Sequence, residues 1–399
     1  MQHRYSVQVS WEMRLHFTNQ TFALDNDCLL RVLSEGEPPP SQRPRRCLIF
    51  IDSGALAADP GLNARIHAWF AHHAEAGIHL AAEPQIVSGG ESAKDGLAIA
   101  ERVGRCCLQH GICRHSFIII IGGGAVLDAV GLGASLVHRG VRQIRMPSTV
   151  LAQDDAGLGV KNGVNAFGNK NFFGTFQPPW AVINDAAFVA LCPERERRSG
   201  LAEAVKVAII KDARFFSWLA GHAPQLLDRQ RPELLQQAIQ RCAELHLDHI
   251  TGNGDPFEQG SSRPLDFGHW SAHCLEVLSQ HRLNHGEAVA IGIAIDCCYA
   301  VAIGALSQHE CAAVLDCLET IGFRLWDQAL HLRDAHGQRC IFQGLQQFRE
   351  HLGGELTLAM PRGLGARQDI GTYDLQLAEH ALLQLAKRSK QRIGHLTQS

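Results

Sequence analysis

Three things are scarce in this 399-residue chain, and each scarcity closes off a class of protein. Net charge is the first: 37 basic side chains against 40 acidic ones leave a formal charge of -3, which gives no electrostatic reason to bind nucleic acid or an anionic membrane. Any anionic ligand must then be held by local cations. Long apolar runs are the second scarcity. No uninterrupted run approaches the 18 residues of a membrane span, and Met1–Val7 lacks the apolar core of a secretory signal, so a cytoplasmic protein without a membrane partner is expected. Patterned cysteine is the third. The 13 cysteines are odd in number, include the adjacent pairs Cys106–Cys107 and Cys297–Cys298, and contain no CxxC, which predicts buried free thiols in a reducing compartment rather than a disulfide scaffold. No internal repeat is apparent.

What is present indicates folded domains of two kinds. Hydrophobic residues make up 46% and charged ones 19%, the balance of a globular protein, and the length exceeds one ordinary core, predicting about two domains. In the first half, Cys47–Ile51 is a short apolar run ending at Asp52. Leu62–Ala76 has helical spacing through Leu62, Ile66, Trp69 and Phe70, and Phe117–Ile121 is apolar on both faces, as a buried parallel strand is. This alternation predicts an open, mostly parallel α/β sheet. The Pro-rich stretch over residues 37–46 reads as an exposed loop ahead of the first βα unit. From about Cys192 the pattern changes to long helical segments, Leu201–Lys211, Pro232–His246 and Glu287–Ile303. The predicted division is an α/β domain over residues 1–190 and an all-helical domain over residues 191–399.

Chemistry concentrates in three places. The GGGAVLD loop (residues 122–128) follows the strongest strand and opens a helical segment, where backbone N–H groups and a helix N-terminus can receive a pyrophosphate. Leu127 stands where a strict G-x-G-x-x-G has its third glycine, and a simple tight turn accounts for the same residues. Asp52, at the end of an early strand, suits a ribose diol, while Glu91 and Lys94 are either part of the same site or an ordinary surface pair. Residues 154–174 combine Asp155, Lys161 and Asn171 with many glycines, and Arg139 lies just upstream. Cations beside glycine-rich backbone suit a phosphate ester, and Asp155 and Asn171 suit sugar hydroxyls; a solvated loop is the plain alternative. Finally, Glu203, His269, His273 and His285 lie on helix-like segments and offer one carboxylate and two or three imidazoles, the set of a catalytic zinc site with an open position. With 22 histidines, a His-x-x-x-His pair should arise roughly once by chance, and a second occurs at His281 and His285. Each histidine taken singly reads first as a structural group. What favours the metal is the glycine before His269, the glycine after His285 and the glutamate on another apolar helix.

Six motifs in order, GGGAVLD, MPSTVLAQDDAGLGVKNGVN, KNFFGTFQPP, RSGLAEAVK, LDFGHWSAH and HGEAVAIG, resemble the dehydroquinate synthase, or sugar-phosphate cyclase, superfamily, over about residues 47–303. The resemblance implies an NAD-binding α/β domain, a helical metal-binding domain, a cleft between them, a divalent ion such as Zn2+ or Co2+, and a homodimer. Matched by motif, Glu203, His269 and His285 would be metal ligands. Asp155, Lys161, Lys206 and Asn171 would hold substrate hydroxyls and phosphate, His273 would relay a proton, and Arg139 would reach the phosphate of the neighbouring subunit. Asp52, Glu91, Lys94, Gly123, Gly124, Asp128, Ser148, Thr149 and Lys170 fall at cofactor-contacting positions. The implied chemistry is cyclisation without net redox: transient oxidation by NAD+, phosphate loss, return of the hydride, ring opening and intramolecular aldol closure.

The chain departs from dehydroquinate synthase where that enzyme grips its substrate's carboxylate. His246 replaces the expected Lys, the expected Arg is displaced by one position to Arg263 and followed by Pro264, Asp266 replaces Asn, and Val160 replaces Gly. Burying an unpaired carboxylate is prohibitive, so these departures imply a substrate without one. The LDFGH and GVKxGVN features are similar to the 2-epi-5-epi-valiolone synthase-like branch, whose substrate is sedoheptulose 7-phosphate, and RPLDFGHWSAH is similar to the dehydroquinate synthase-like proteins of Ebo-type bacterial clusters. Asp266 and Arg263 thereby join the expected catalytic set. The expected function is cyclisation of a heptulose 7-phosphate to a C7 cyclitol. The alternatives are 3-dehydroquinate synthase, a polyol dehydrogenase of the glycerol dehydrogenase type, and a non-enzymatic NAD-binding module.

Overall fold

The computed structural model describes residues 2–35, 44–252, 257, 263–351 and 354–396. Residues 37–43 of the Pro-rich stretch lie outside the described residues. The chain divides into two compact units, one of Met1–Ala152 and Ala156–Leu191, the other of Gln153–Asp155 and Cys192–Ser399.

The first unit runs β1 (Leu15–Thr18), α1 (Cys28–Ser34), β2 (Arg45–Asp52), α2 (Ser53–Ala58), α3 (Leu62–His72), β3 (Ile78–Leu80), β4 (Gln85–Val87), α4 (Ala98–Gln109), β5 (Phe117–Gly122), α5 (Gly124–Leu136), β6 (Arg142–Pro147), β7 (Lys161–Ala166), β8 (Asn169–Phe176), β9 (Ala181–Asp185) and α6 (Ala186–Leu191). Seven strands form one parallel sheet in the order β1-β9-β6-β5-β2-β3, with β4 also on β2. The pair β1 and α1, ahead of the Pro-rich stretch, is not anticipated, because four strand residues carry too little periodicity to read. In β5, Phe117, Ile119 and Ile121 pack with Leu29, Leu33 and Trp69 on one face, and Ile118 and Ile120 pack with Val103, Val126 and Val130 on the other. All five strand residues are 0% exposed, which is why the run is apolar without alternation.

The chain leaves β2 toward β3 and β4 on one side and returns to β5 on the other. The carboxyl ends of β2 and β5 therefore flank the point where strand order reverses, the place where open α/β sheets bind ligands. The polar segment after residue 160 is not a loop but the antiparallel hairpin β7–β8. Its two-residue turn, Phe167–Gly168, has φ of 52° and 76°, the two positive values a type I′ turn requires.

The second unit contains α7 (Glu194–Lys211), α8 (Ala213–His222), α9 (Pro232–Gly252), α10 (His269–Leu278), α11 (His285–Ala302), α12 (Gln308–Ile321), α13 (Gln343–His351), the antiparallel pair β10 (Leu358–Pro361) and β11 (Arg367–Ile370), and α14 (Leu375–Leu396). The hairpin β10–β11 corrects the expectation of an all-helical domain. Helix α11 is the axis, packed against α7, α10, α12 and α14. Its length and composition would suit a membrane span, but 78% of it is buried inside the protein, and it includes Glu287 and Asp296. A helix apolar on all sides belongs in the middle of a bundle. All 13 cysteines are free thiols, most of them buried.

The buried strand predicts a graded response to truncation. Ile120→Ala should cost about 2–5 kcal/mol, while Leu136→Ala, at a side chain 60% exposed, should stay within about 0.5 kcal/mol of wild type; denaturant midpoints compare them. Equal midpoints would contradict two-sided burial of β5.

Candidate active site

Glu203 and Lys206 lie one turn apart on the buried length of α7, His269 opens α10 with His273 a turn further on, and His285 opens α11. Glycines let these helices approach. A Cβ at Gly286 would stand 2.0 Å from the Ser199 carbonyl oxygen of α7, and one at Gly292 would stand 2.0 Å from the Gly268 carbonyl oxygen. Gly268 itself has φ of 78°, so no other residue enters α10 this way without strain. The glycines beside the two histidines are thus explained by helix packing.

That packing brings His269 Nε2 to 3.5 Å and His285 Nε2 to 3.7 Å from Glu203 Oε1. Donor atoms of the three residues all lie within 4.8 Å of one another. Ligands about 2.0–2.1 Å from a tetrahedral ion are spaced by about 3.4 Å, so the trio fits a zinc-sized cation with slight contraction. The tautomers agree with this. His269 Nδ1–H donates to the Phe267 carbonyl at 3.1 Å, and His285 Nδ1 faces Glu276 Oε1 at 3.5 Å, which turns both Nε2 atoms toward Glu203. The His273 ring lies 5.4 Å from that of His269 and 5.9 Å from that of His285.

The charges are strongly coupled. Burial would raise the Glu203 carboxyl, but the Lys206 ammonium and His285 outweigh it and hold the group well below its ordinary value. Burial likewise opposes the charge on Lys206, yet Glu203, Asp155 and Asp266 together raise its pKa. His269 is kept neutral by burial and then by Lys206 and His285. His285 is also opposed by burial, but bonds to Glu203 and Glu276 lift it to about 10. A π-helical turn at Ala152–Ala156, closed by Gly157 N–H donating to the Ala152 carbonyl at 2.8 Å, sets Gln153–Asp155 with the second unit rather than the first. There Asp155 Oδ1 meets His246 Nδ1 at 3.1 Å, and the wholly buried Asp154 is pushed well above the usual carboxylate range by burial, Glu203 and Asp155. Arg263 precedes a short 3-10 turn, Pro264–Asp266, that delivers Asp266 to the field of Lys206.

In the first unit the expected cofactor positions gather at the carboxyl ends of β2, β4, β5 and β6. Asp52 accepts from Gly54 N–H at 2.7 Å, and a Cβ at Gly89 would lie 2.2 Å from its Oδ1. Gly123 and Gly124 open α5, whose first N–H groups have no side-chain cap, as a pyrophosphate requires. Lys94 pairs with Asp128 at 2.7 Å, and Lys170 stands 3.9 Å from Glu91. Ser148 N–H donates to the Gly122 carbonyl at 2.9 Å, and Thr149 Oγ1 accepts from Ala152 N–H at 3.2 Å. Arg139 and Asn171 adopt positive φ, 63° and 52°, and Lys161 opens β7. Two supporting residues escape the sequence. Arg145, 0% exposed, donates to the carbonyls of Gly157, Gly159 and Lys161 and to Asn162 Oδ1, organising the loop that carries Lys161. Its one signal is a charge set between Ile144 and Met146. Glu276 shares a helix face with His269 and His273 at i, i+4 and i+7, a pattern that could have drawn notice.

Residues 85–199 match the family described as 3-dehydroquinate synthase N-terminal, and residues 200–338 match 3-dehydroquinate synthase C-terminal. The chain belongs to the 3-dehydroquinate synthase family of sugar-phosphate cyclases. It is 36% identical over 279 residues to 2-epi-5-epi-valiolone synthase of Streptomyces glaucescens, covering 70% of each chain. To 3-dehydroquinate synthase of Cereibacter sphaeroides it is 33% identical over 297 residues, 73% of this chain and 78% of the other. Among solved structures, ValA, a 2-epi-5-epi-valiolone synthase from Streptomyces hygroscopicus subsp. jinggangensis with NAD+ and Zn2+ bound, aligns with a TM-score of 0.84 at 28% identity, over 97% of this chain and 100% of that one. These likenesses support the 2-epi-5-epi-valiolone synthase-like branch within the family.

Two tests follow from the geometry. In metal-free protein His285 carries a proton up to about pH 10, and that proton must leave before Nε2 can bind a cation. Binding of Zn2+ at pH 7 to 8 should release about one proton, and affinity should fall about tenfold per unit as pH drops, because protonation competes. Calorimetry in buffers of different ionisation enthalpy reads the number, and no release would contradict a charged His285. Gly286→Ala, which drives a methyl group into the Ser199 carbonyl, should weaken Zn2+ binding at least tenfold by separating α7 from α11. Unchanged affinity would show that this contact does not set the ligand geometry.

Proposed function

We propose that the protein is a sugar-phosphate cyclase that takes a heptulose 7-phosphate without a carboxylate, sedoheptulose 7-phosphate, and closes it to a C7 cyclitol with loss of phosphate, a carbon–oxygen lyase reaction. Its cofactors would be NAD, at the glycine turn of α5 with Asp52 and the Lys94–Asp128 pair, and Zn2+ or Co2+ on Glu203, His269 and His285. When bound, NAD supplies a reversible hydride acceptor and the ion a Lewis acid.

The chain's own residues would do the rest. Lys206 stays an ammonium throughout the physiological range and would fix a substrate hydroxyl oxygen. Asp155 would accept from a second hydroxyl, and His273 would carry the proton that the reacting hydroxyl gives up. Lys161 would hold the phosphate, with Arg139 supplied by a second copy in a homodimer, and Asn171 would bond a further sugar hydroxyl.

One observation carries the choice of substrate: the position expected to present a lysine to a carboxylate holds His246, engaged by Asp155 at 3.1 Å. Asp266 adds a second acid near Lys206. A substrate carboxylate about 4–5 Å from a like charge is opposed by about 3–4 kcal/mol at an effective dielectric of about 20, before nearby cations offset it. The hydroxyls of sedoheptulose 7-phosphate would instead accept and donate there. Dehydroquinate synthase is the second reading, favoured by the retained His273 and by Arg263.

Products of the pure protein with NAD+ and Zn2+ decide between them. Mass spectrometry should find a cyclitol and released phosphate from sedoheptulose 7-phosphate and none from 3-deoxy-arabino-heptulosonate 7-phosphate. The reverse would establish a divergent dehydroquinate synthase. The double variant Asp266→Asn, His246→Lys should gain turnover of the carboxylate substrate, and no gain would count against this account of the pocket.

A further inference from the structure

One buried carboxylate has no part in the chemistry above. Asp296, 1% exposed, sits three turns beyond His285 in α11, among apolar neighbours. Burial raises its carboxyl to about 7, against three donors that pull the other way. These are Trp270 Nε1 at 2.9 Å, the Gly268 N–H at 3.1 Å and the Tyr373 hydroxyl at 3.3 Å. Gly268 and Trp270 are the residues on either side of His269. Tyr373 stacks on Tyr299 at 4.0 Å and meets Trp270 edge-on at 5.2 Å, closing the group against water.

The placement matters because α10 starts at Gly268 without any side-chain cap of its own. Asp296 supplies the missing acceptor from another helix, at the positive end of α10. Gly268 is left-handed, and a glycine released from its partner can cross to negative φ at little cost, turning the first residue of α10 with it. That residue is His269. A buried carboxylate is also a poor way to gain stability, since an apolar residue of similar size serves as well or better.

We propose that Asp296 is a positioning residue for the metal centre: by gripping Gly268 and Trp270 on both sides of His269, it holds the first turn of α10 in the register that aims His269 Nε2 at Glu203. The inference rests on reading Glu203, His269 and His285 as a metal site.

The test is Zn2+ affinity, measured by competition with a chromophoric chelator, together with the visible spectrum of Co2+-loaded protein. Asp296→Ala should lose about 10–100-fold in Zn2+ affinity and alter the Co2+ bands. Asp296→Asn, which keeps one acceptor oxygen, should fall between Ala and wild type. Tyr373→Phe, which removes only the longest bond, should lose less than either. A role confined to packing would lower the denaturation midpoint of the metal-free variants while leaving Zn2+ affinity and the Co2+ spectrum as in wild type, and that result would overturn the proposal. Should the Ala variant not fold, Asp296→Asn and Trp270→Phe give the same comparison. Wild-type protein that binds no Zn2+ would instead overturn the metal reading itself.

Discussion

A carboxylate at 0% exposure cannot be held in a folded protein by packing alone, and Glu203 is such a group. Even after relaxation, removing an ion from water costs several kcal/mol, so the charge persists only with partners at close range. Lys206 on the same helix and the imidazole of His285 are those partners, with the neutral His269 ring beside them, and the three arrive on different lines of approach. The second unit is arranged around that demand. Helix α11 crosses α7 at a glycine, α10 crosses α11 at a pair of glycines, and Glu276 and the Phe267 carbonyl fix which ring nitrogen each histidine presents.

The first unit answers a different constraint. Its sheet is covered on both faces, so polar chemistry is excluded from the strands and driven to their ends. Reversal of strand order between β2 and β5 leaves a gap at the carboxyl ends, and Asp52, the glycine turn and the Lys94–Asp128 pair lie along it. Gln143 and Asn184 are uncharged exceptions, and Arg145 is a charged one. A guanidinium enclosed in β6 is tolerated because four acceptors surround it, the loop carbonyls of Gly157 and Gly159, the Lys161 carbonyl of β7 and Asn162 Oδ1.

Recognition in this family is local, which explains how much of it could be read in advance. The runs around residues 122, 203, 269 and 285 each hold their candidate site residues within a few positions of one another, and the helix or strand that carries them follows from the same run. The hairpins β7–β8 and β10–β11 and the strand β1 were hidden for want of a two-residue alternation: β8 is exposed along most of its eight residues, β10 is buried along all four of its own, and β1 has only four. Arg145, Glu276 and Asp296 were hidden for another reason: each acts on a residue distant in sequence, and nothing beside it in the chain records the partner.

By itself, the amino-acid sequence determined the parallel α/β first half, the helical second half and the residue types on which the proposed metal and phosphate chemistry rests, because apolar periodicity, glycine turns and side-chain identity are properties of short segments. Tertiary structure alone decided which carboxylate meets which imidazole, that His246 faces Asp155, and that Asp296 grips both neighbours of His269. Those are distances between helices, and they are set where glycines, aromatic rings and buried charges from separate parts of the chain have to share one volume.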